Sequence, residues 1–129
     1  MRGPQVRPQL SINAAAFTAG NAAETQEAET RAINADAPGL LAEEARKIDA
    51  AFVHYSADYV FDGSKTTPYD EEDPPARINA YLRTKLAGEQ AVHTIGVPHL
   101  IFRTAWLYST RGRNFLRAIL RLVTEREEL

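Results

Sequence analysis

Ala51-Phe52-Val53-His54-Tyr55-Ser56-Ala57-Asp58-Tyr59-Val60-Phe61-Asp62-Gly63 is the stretch whose reading decides the fold. It begins as a short apolar run of strand length and opens into a polar, glycine-ended loop. In an open α/β sheet the chemistry sits at such a strand end. Downstream, Tyr81-Leu82-Arg83-Thr84-Lys85 spaces a phenol and an ammonium four residues apart. On a helix the two side chains share one face, one turn apart. A cation beside a phenol favours the phenolate and draws its pKa down from about 10. A tyrosine tuned in this way can act as a general acid toward a carbonyl oxygen.

Outward from that stretch, two more apolar runs read as strands: Leu10 to Ala16, with Asn13 inside it, and His99 to Thr104. Residues 1–8 read as irregular and 17–25 as a loop. Residues 26–48 carry apolar positions at mixed three- and four-residue spacing, interrupted by Pro38. Asp36 before Ala37-Pro38 reads as an N-cap, giving either two helices or one kinked helix. Asn79 to Ile95 reads as a helix stopped by Gly96 and Pro98, and Gly112 to Glu128 as an amphipathic helix. Between Asp62 and Ile78 lie five acidic residues and three of the seven prolines, the composition of a long surface loop. Loops of that length in a compact domain are often functional. Strands alternating with helices predict parallel βαβ units in a doubly wound sheet.

The composition excludes several classes. At 129 residues the chain is the size of one domain, with 44% hydrophobic and 25% charged residues. A net charge of −2 gives no electrostatic case for nucleic acid or an anionic membrane. The absence of cysteine removes disulfides, thiol catalysis and Cys-rich zinc sites. No apolar run approaches the roughly 18 residues of a membrane span, and Met1-Arg2-Gly3-Pro4 lacks a signal-peptide core. The default expectation is cytoplasmic. None of the seven glycines forms the G-x-G-x-x-G turn that opens a dinucleotide-binding sheet. Three parallel strands also make a small sheet, and parallel sheets are normally covered on both faces. The chain therefore reads as a partial domain over residues 1–129, a fragment from the middle of a larger protein.

Five ordered segments carry a family resemblance: Ile12 to Thr18, Ala32 to Gly39, His54 to Gly63, Tyr81 to Glu89, and Phe102 to Tyr108. Together they resemble the central part of the dTDP-4-dehydrorhamnose reductases, extended short-chain dehydrogenase/reductases. The resemblance implies a Rossmann-like, doubly wound α/β fold truncated at both ends, without the Gly-rich loop and the substrate domain. It implies reduction of a 4-keto-6-deoxy sugar on a dTDP carrier with NADPH, or with NADH. By position, Tyr81 matches the proton donor and Lys85 its partner, which also reaches the cofactor. Ala16, Phe17, Thr18 and Tyr55 match cofactor contacts, and Ala57, Asp58 and Trp106 match substrate contacts. The resemblance also allows a homodimer and a bound magnesium ion, for which no ligands can be placed. It extends to the non-catalytic β subunit of methionine adenosyltransferase, which uses the same fold to bind a partner.

The departures are local. The family pattern Ser-Thr-Asp-Tyr-Val-Phe-Asp-Gly has Ala57 in place of its threonine, whose hydroxyl bonds the carbonyl being reduced. Loss of one such donor lowers turnover by roughly 10²–10³-fold. Ser56 is expected on the opposite strand face. Gly20-Asn21-Ala22-Ala23-Glu24, Ala105 and Ser109 also depart from the pattern. His54, His93 and His99 show no ligand spacing and read as structural, the Asp70–Asp73 run as a solvated face, and Asn34 as a binding residue or, preferred, a helix cap.

Overall fold

Three short strands lie parallel in the order β1-β2-β3: Leu10–Asn13, Ala51–Ala57 and His99–Thr104. The structure, a computed structural model, describes residues 6–76, 79–112 and 114–125. The register pairs Leu10 with Ala51 and Asn13 with His54, then Phe52 with His99 and Ala57 with Thr104. Parallel neighbours require crossovers, and each crossover here is helical. The first runs through α1 (Gly20–Ala23), α2 (Glu27–Arg31), a π-helical turn (Ala32–Asp36) and α3 (Ala37–Lys47). The second is α4 (Ala80–Ile95), and α5 (Phe115–Glu125) follows β3.

The core forms where α3 and α4 press on β2. Ala42 and Ala45 of α3, Phe52 of β2 and Val92 of α4 are buried together with Ala50 and Val97. Small residues on α3 let it lie close to the sheet. The opposite sheet face carries Leu10, Ile12, Tyr55, Leu100 and Phe102, all exposed. Along α5 no described residue is buried, although Phe115, Leu116, Leu120 and Val123 are large and apolar.

The predicted elements stand with four local corrections, and of the two readings for residues 26–48 the single run is the one observed. The first strand ends at Asn13 rather than Ala16. The predicted loop over 17–25 contains the single helical turn α1. Residues 27–47 form one helical run whose π turn sits just before Pro38. Asp36 is helical and caps nothing; it lies 3.7 Å from Arg31 instead. The last helix begins at Phe115, not Gly112, and its predicted end at 126–128 lies outside the described residues, as do residues 1–5.

The helix α4, which carries the Tyr81/Lys85 pair, is well delimited. The Asn79 side chain accepts from Leu82 N–H at 2.9 Å, and Glu24 accepts from Ala80 N–H at 2.8 Å. These bonds satisfy two of the four free donors at its N-terminus. Gly96 closes it in the left-handed region at φ 71°.

Candidate active site

All three strands point their C-terminal ends the same way, so the segments leaving them converge. There they wall a partly open cavity of about 720 Å³. Seven of the nine residues singled out from the sequence line it: Ala16, Thr18, Tyr55, Ala57, Tyr81, Lys85 and Trp106. Phe17 and Asp58 do not. Phe17 contributes backbone, and Asp58 sits in a 3-10 turn (Asp58–Val60) beside a second cavity on the β3 side. One carboxylate oxygen of Asp58 is buried without a protein partner among the described residues.

Lys85 is 2% exposed, and its Nζ donates to the Tyr55 carbonyl at 2.6 Å. Burial lowers its pKa from 10.5 to about 8, against the pull of Glu89. Tyr81 is half-buried. Burial first, then the neighbouring Tyr59 phenol, hold its phenol above the ordinary value of 10.0. The expectation that Lys85 draws the Tyr81 phenol downward is thereby corrected. The ammonium is committed to the end of β2, and desolvation of the phenol dominates. At neutral pH Tyr81 therefore keeps its proton.

Asn34 is also corrected: it caps no helix. It is fully buried in the π turn. Its Oδ1 accepts from Phe17 N–H at 2.8 Å, and its Nδ2 donates to Phe17 O at 3.1 Å and to Thr84 Oγ1 at 3.4 Å. One side chain thus ties the segment leaving β1 to the helix carrying Tyr81 and Lys85. Replacing Asn34 with Ala removes the side-chain partners of the partly buried Phe17 amide and carbonyl, each bond being worth about 1 kcal/mol. We expect a midpoint in urea lowered by more than an exposed Asn21→Ala control, with the slope unchanged. An unaltered midpoint would show that the clamp carries no stability.

Thr104 is a residue the sequence reading overlooked. The β2–β3 register sets it opposite Ala57, it lines the cavity, and its hydroxyl donates to Ser56 O at 3.2 Å. Its place at the last position of a strand was the available signal. Trp106 adopts φ 49°, a left-handed backbone that a bulky side chain rarely takes. Its ring meets Phe115 edge-on at 5.2 Å between centroids. Among the described residues no three His, Asp or Glu side chains are grouped to hold a metal ion. No helix among them is long and apolar enough to cross a membrane.

Comparison with known proteins agrees with this geometry. The dTDP-4-dehydrorhamnose reductase of Burkholderia thailandensis is 50% identical over 123 residues, 95% of this chain and 41% of that protein. A probable dTDP-4,6-dihydroxy-2-methyloxan-3-one 4-ketoreductase of Streptomyces antibioticus is 49% identical over 115 residues, 88% of this chain and 39% of that one. The crystal structure of dTDP-4-dehydrorhamnose reductase from Bacillus anthracis in complex with NADP superposes with a TM-score of 0.90 at 40% identity. It covers 95% of this chain and 44% of that one. The chain thus spans about two fifths of the length of these relatives. A family model described as the RmlD substrate binding domain matches residues 3–129, and the chain belongs to that family.

Proposed function

We propose that this chain carries the nicotinamide-side wall and the proton donor of a reductase acting on a dTDP-linked 4-keto-6-deoxy sugar. The observation that carries the reading is the convergence of Tyr81, Lys85 and the Tyr55 carbonyl on one largely apolar cavity at the strand ends. That cavity fits a nicotinamide ring and ribose: its walls are small or aromatic, and its one buried cation stands on the floor. NADPH, when bound, supplies the hydride. Ala16, Thr18, Tyr55, Tyr81 and Lys85 would hold it, with Phe17 fixing the segment between Ala16 and Thr18 through its backbone bonds to Asn34. NADPH is preferred to NADH because the Bacillus anthracis relative is described in complex with NADP.

In this reading Tyr81 is the general acid. Its burial keeps the phenol protonated, the state needed to donate a proton to the carbonyl oxygen as charge develops there. Lys85, one turn along α4, would meet the cofactor ribose beside it. Asn34 fixes the Phe17 segment against α4, and the apolar walls exclude water. Ala57, Asp58 and Trp106 are assigned to the sugar side. The names of the relatives favour a reductase over a regulatory binding subunit.

The test is titration of the 129-residue chain with NADPH by calorimetry, with circular dichroism on the same sample. Saturable binding that is lost in Lys85→Ala supports the reading. A folded chain with no saturable binding removes it for this polypeptide. Ala57→Thr restores a hydroxyl to the cavity wall. It should raise turnover of dTDP-4-dehydrorhamnose by about 10²-fold, followed as loss of NADPH absorbance. An unchanged rate would mean that another donor, Thr104 foremost, already serves the carbonyl.

A further inference from the structure

The acidic segment after β2, from Asp62 to Ala76, has the length at which loops often carry function, and the proposed chemistry leaves it idle. It is tied to itself and to the fold. Ala76 N–H donates back to the carbonyl of the buried Val60 at 2.6 Å. The Tyr69 hydroxyl donates to the Asp62 carboxylate at 3.0 Å and accepts from Lys65 N–H at 3.1 Å. The Lys65 ammonium bonds the Asp73 carboxylate. The Tyr69 ring stacks on Phe61, with centroids 4.3 Å apart and planes 11° from parallel.

Phe61 stands at a decisive place. Tyr59 and Phe61 are the two residues that line both the strand-end cavity and the second cavity on the β3 side, of about 850 Å³. They form the partition between the two. Tyr59 is half exposed, whereas Phe61 is held from β3 as well as from the loop. The Arg103 guanidinium carbon lies over its ring, 5.1 Å from the centroid. Arg103 is fixed in turn by Glu89 of α4. Its Nε donates to both carboxylate oxygens at 3.2 Å, and one terminal nitrogen donates at 2.7 Å. Glu89 is 2% exposed, and a buried carboxylate left without its cation is strongly destabilising. A planar guanidinium bonded through two of its nitrogens cannot turn freely. The cation therefore stays over the Phe61 ring, where the ring quadrupole attracts it. Contact thus runs unbroken from α4 through β3 to the acidic loop.

We propose that Phe61 is a fixed wall of the strand-end cavity on its β3 side, and that Arg103, Glu89 and Tyr69 are positioning residues that act on the cavity through it. The acidic loop is then a built part of that wall. On the reductase reading the wall bounds the sugar, because Ala57 and Asp58, assigned to the sugar, precede it by a few residues. The placement of the wall does not rest on that reading.

The experiment is limited trypsin digestion of the chain without cofactor or substrate, with fragments identified by mass. Cleavage after Lys65 reports release of the loop, and cleavage after Arg83 in α4 reports unfolding of the whole. In Phe61→Leu, which stays apolar but cannot stack, the ratio of Lys65 to Arg83 cleavage should rise about tenfold. Phe61→Tyr keeps the ring and should restore the ratio. Arg103→Lys keeps a cation for Glu89 but loses the planar fork, and should raise the ratio by a smaller factor. In ¹⁵N NMR the Arg103 Nε–H proton should lose the shielding of the ring in Phe61→Leu and keep it in Phe61→Tyr. A ratio unchanged in Phe61→Leu would overturn the proposal, as would an Nε–H shift that ignores the loss of the ring. In turnover of dTDP-4-dehydrorhamnose, Phe61→Leu should raise KM several-fold at unchanged kcat, because a wall binds ground state and transition state alike. A fall in kcat with KM unchanged would also count against it.

Discussion

Gly88→Ala should be among the most destabilising single-methyl changes in this chain. A Cβ added at Gly88 would lie 2.2 Å from the Asn34 carbonyl oxygen and 3.3 Å from its carbon. Both are backbone atoms of the buried π turn, so no side chain can swing aside. Overpacking a core typically costs 1–3 kcal/mol and occasionally more. The expectation here is about 3 kcal/mol or above, against a total stability of about 5–15 kcal/mol for a domain. The damage should also reach the cavity, because displacing Asn34 releases Phe17 on one side and Thr84 on the other. Gly20→Ala is the control: nothing lies within 4 Å of its added Cβ. Denaturant melts of the two variants decide the matter. If Gly88→Ala unfolds no more readily than Gly20→Ala, the close approach of α4 to the π turn is wrong.

The second large effect is on the pH dependence of stability. His54 titrates at about 4 in the folded chain against 6.5 unperturbed, with burial as the first cause and the Lys85 charge as the second. Lys85 titrates at about 8 against 10.5. In both cases the folded pKa is the lower one. Within each window the unfolded chain binds more protons, so stability rises with pH. Acidification from pH 6.5 to about 4 should therefore remove about 3 kcal/mol through His54. Raising the pH from about 8 to 10.5 should return a similar amount through Lys85, about 3 kcal/mol. Asp62 and Asp73 are also lowered, by hydrogen bonds from Ser64 and Lys65 respectively, and add to the acid loss in the same direction. Thermal melts across pH should show a midpoint roughly 10 °C lower at pH 4 than at pH 7. Lys85→Met should abolish the alkaline rise and be more stable than the unsubstituted chain at neutral pH. A Lys85→Met chain that is less stable at pH 7 would show that the ammonium is better compensated than its burial implies.

A lysine buried at a cost to stability is what a cation kept for binding or catalysis looks like. The same lysine as an i,i+4 surface partner of Tyr81 would have cost nothing. Its Nζ bond to the Tyr55 carbonyl therefore distinguishes the site from an ordinary amphipathic helix face.

Much of this was legible in the residues themselves. The apolar runs at Leu10, Ala51 and His99, the glycine and proline stops around α4, and the four-residue step from Tyr81 to Lys85 are local patterns. Local patterns set backbone conformation through sterics and side-chain direction. From them came the parallel α/β sheet and most of the residues that now line one cavity. The ordered motif segments carried the family on the same footing.

Tertiary packing alone decided the rest. Asn34 bonds residues 17 and 50 positions away, and nothing in its own neighbourhood tells a clamp from a cap. The Gly88 contact needs the curvature of the π turn. The Tyr81 phenol was expected to be drawn down by a cation and is instead pushed up by burial. Spacing along a helix reports which groups are neighbours, but not how much water each loses or which partner the ammonium takes. Those depend on the sum of contacts across β2, α4 and the π turn, which exist only once the chain has folded.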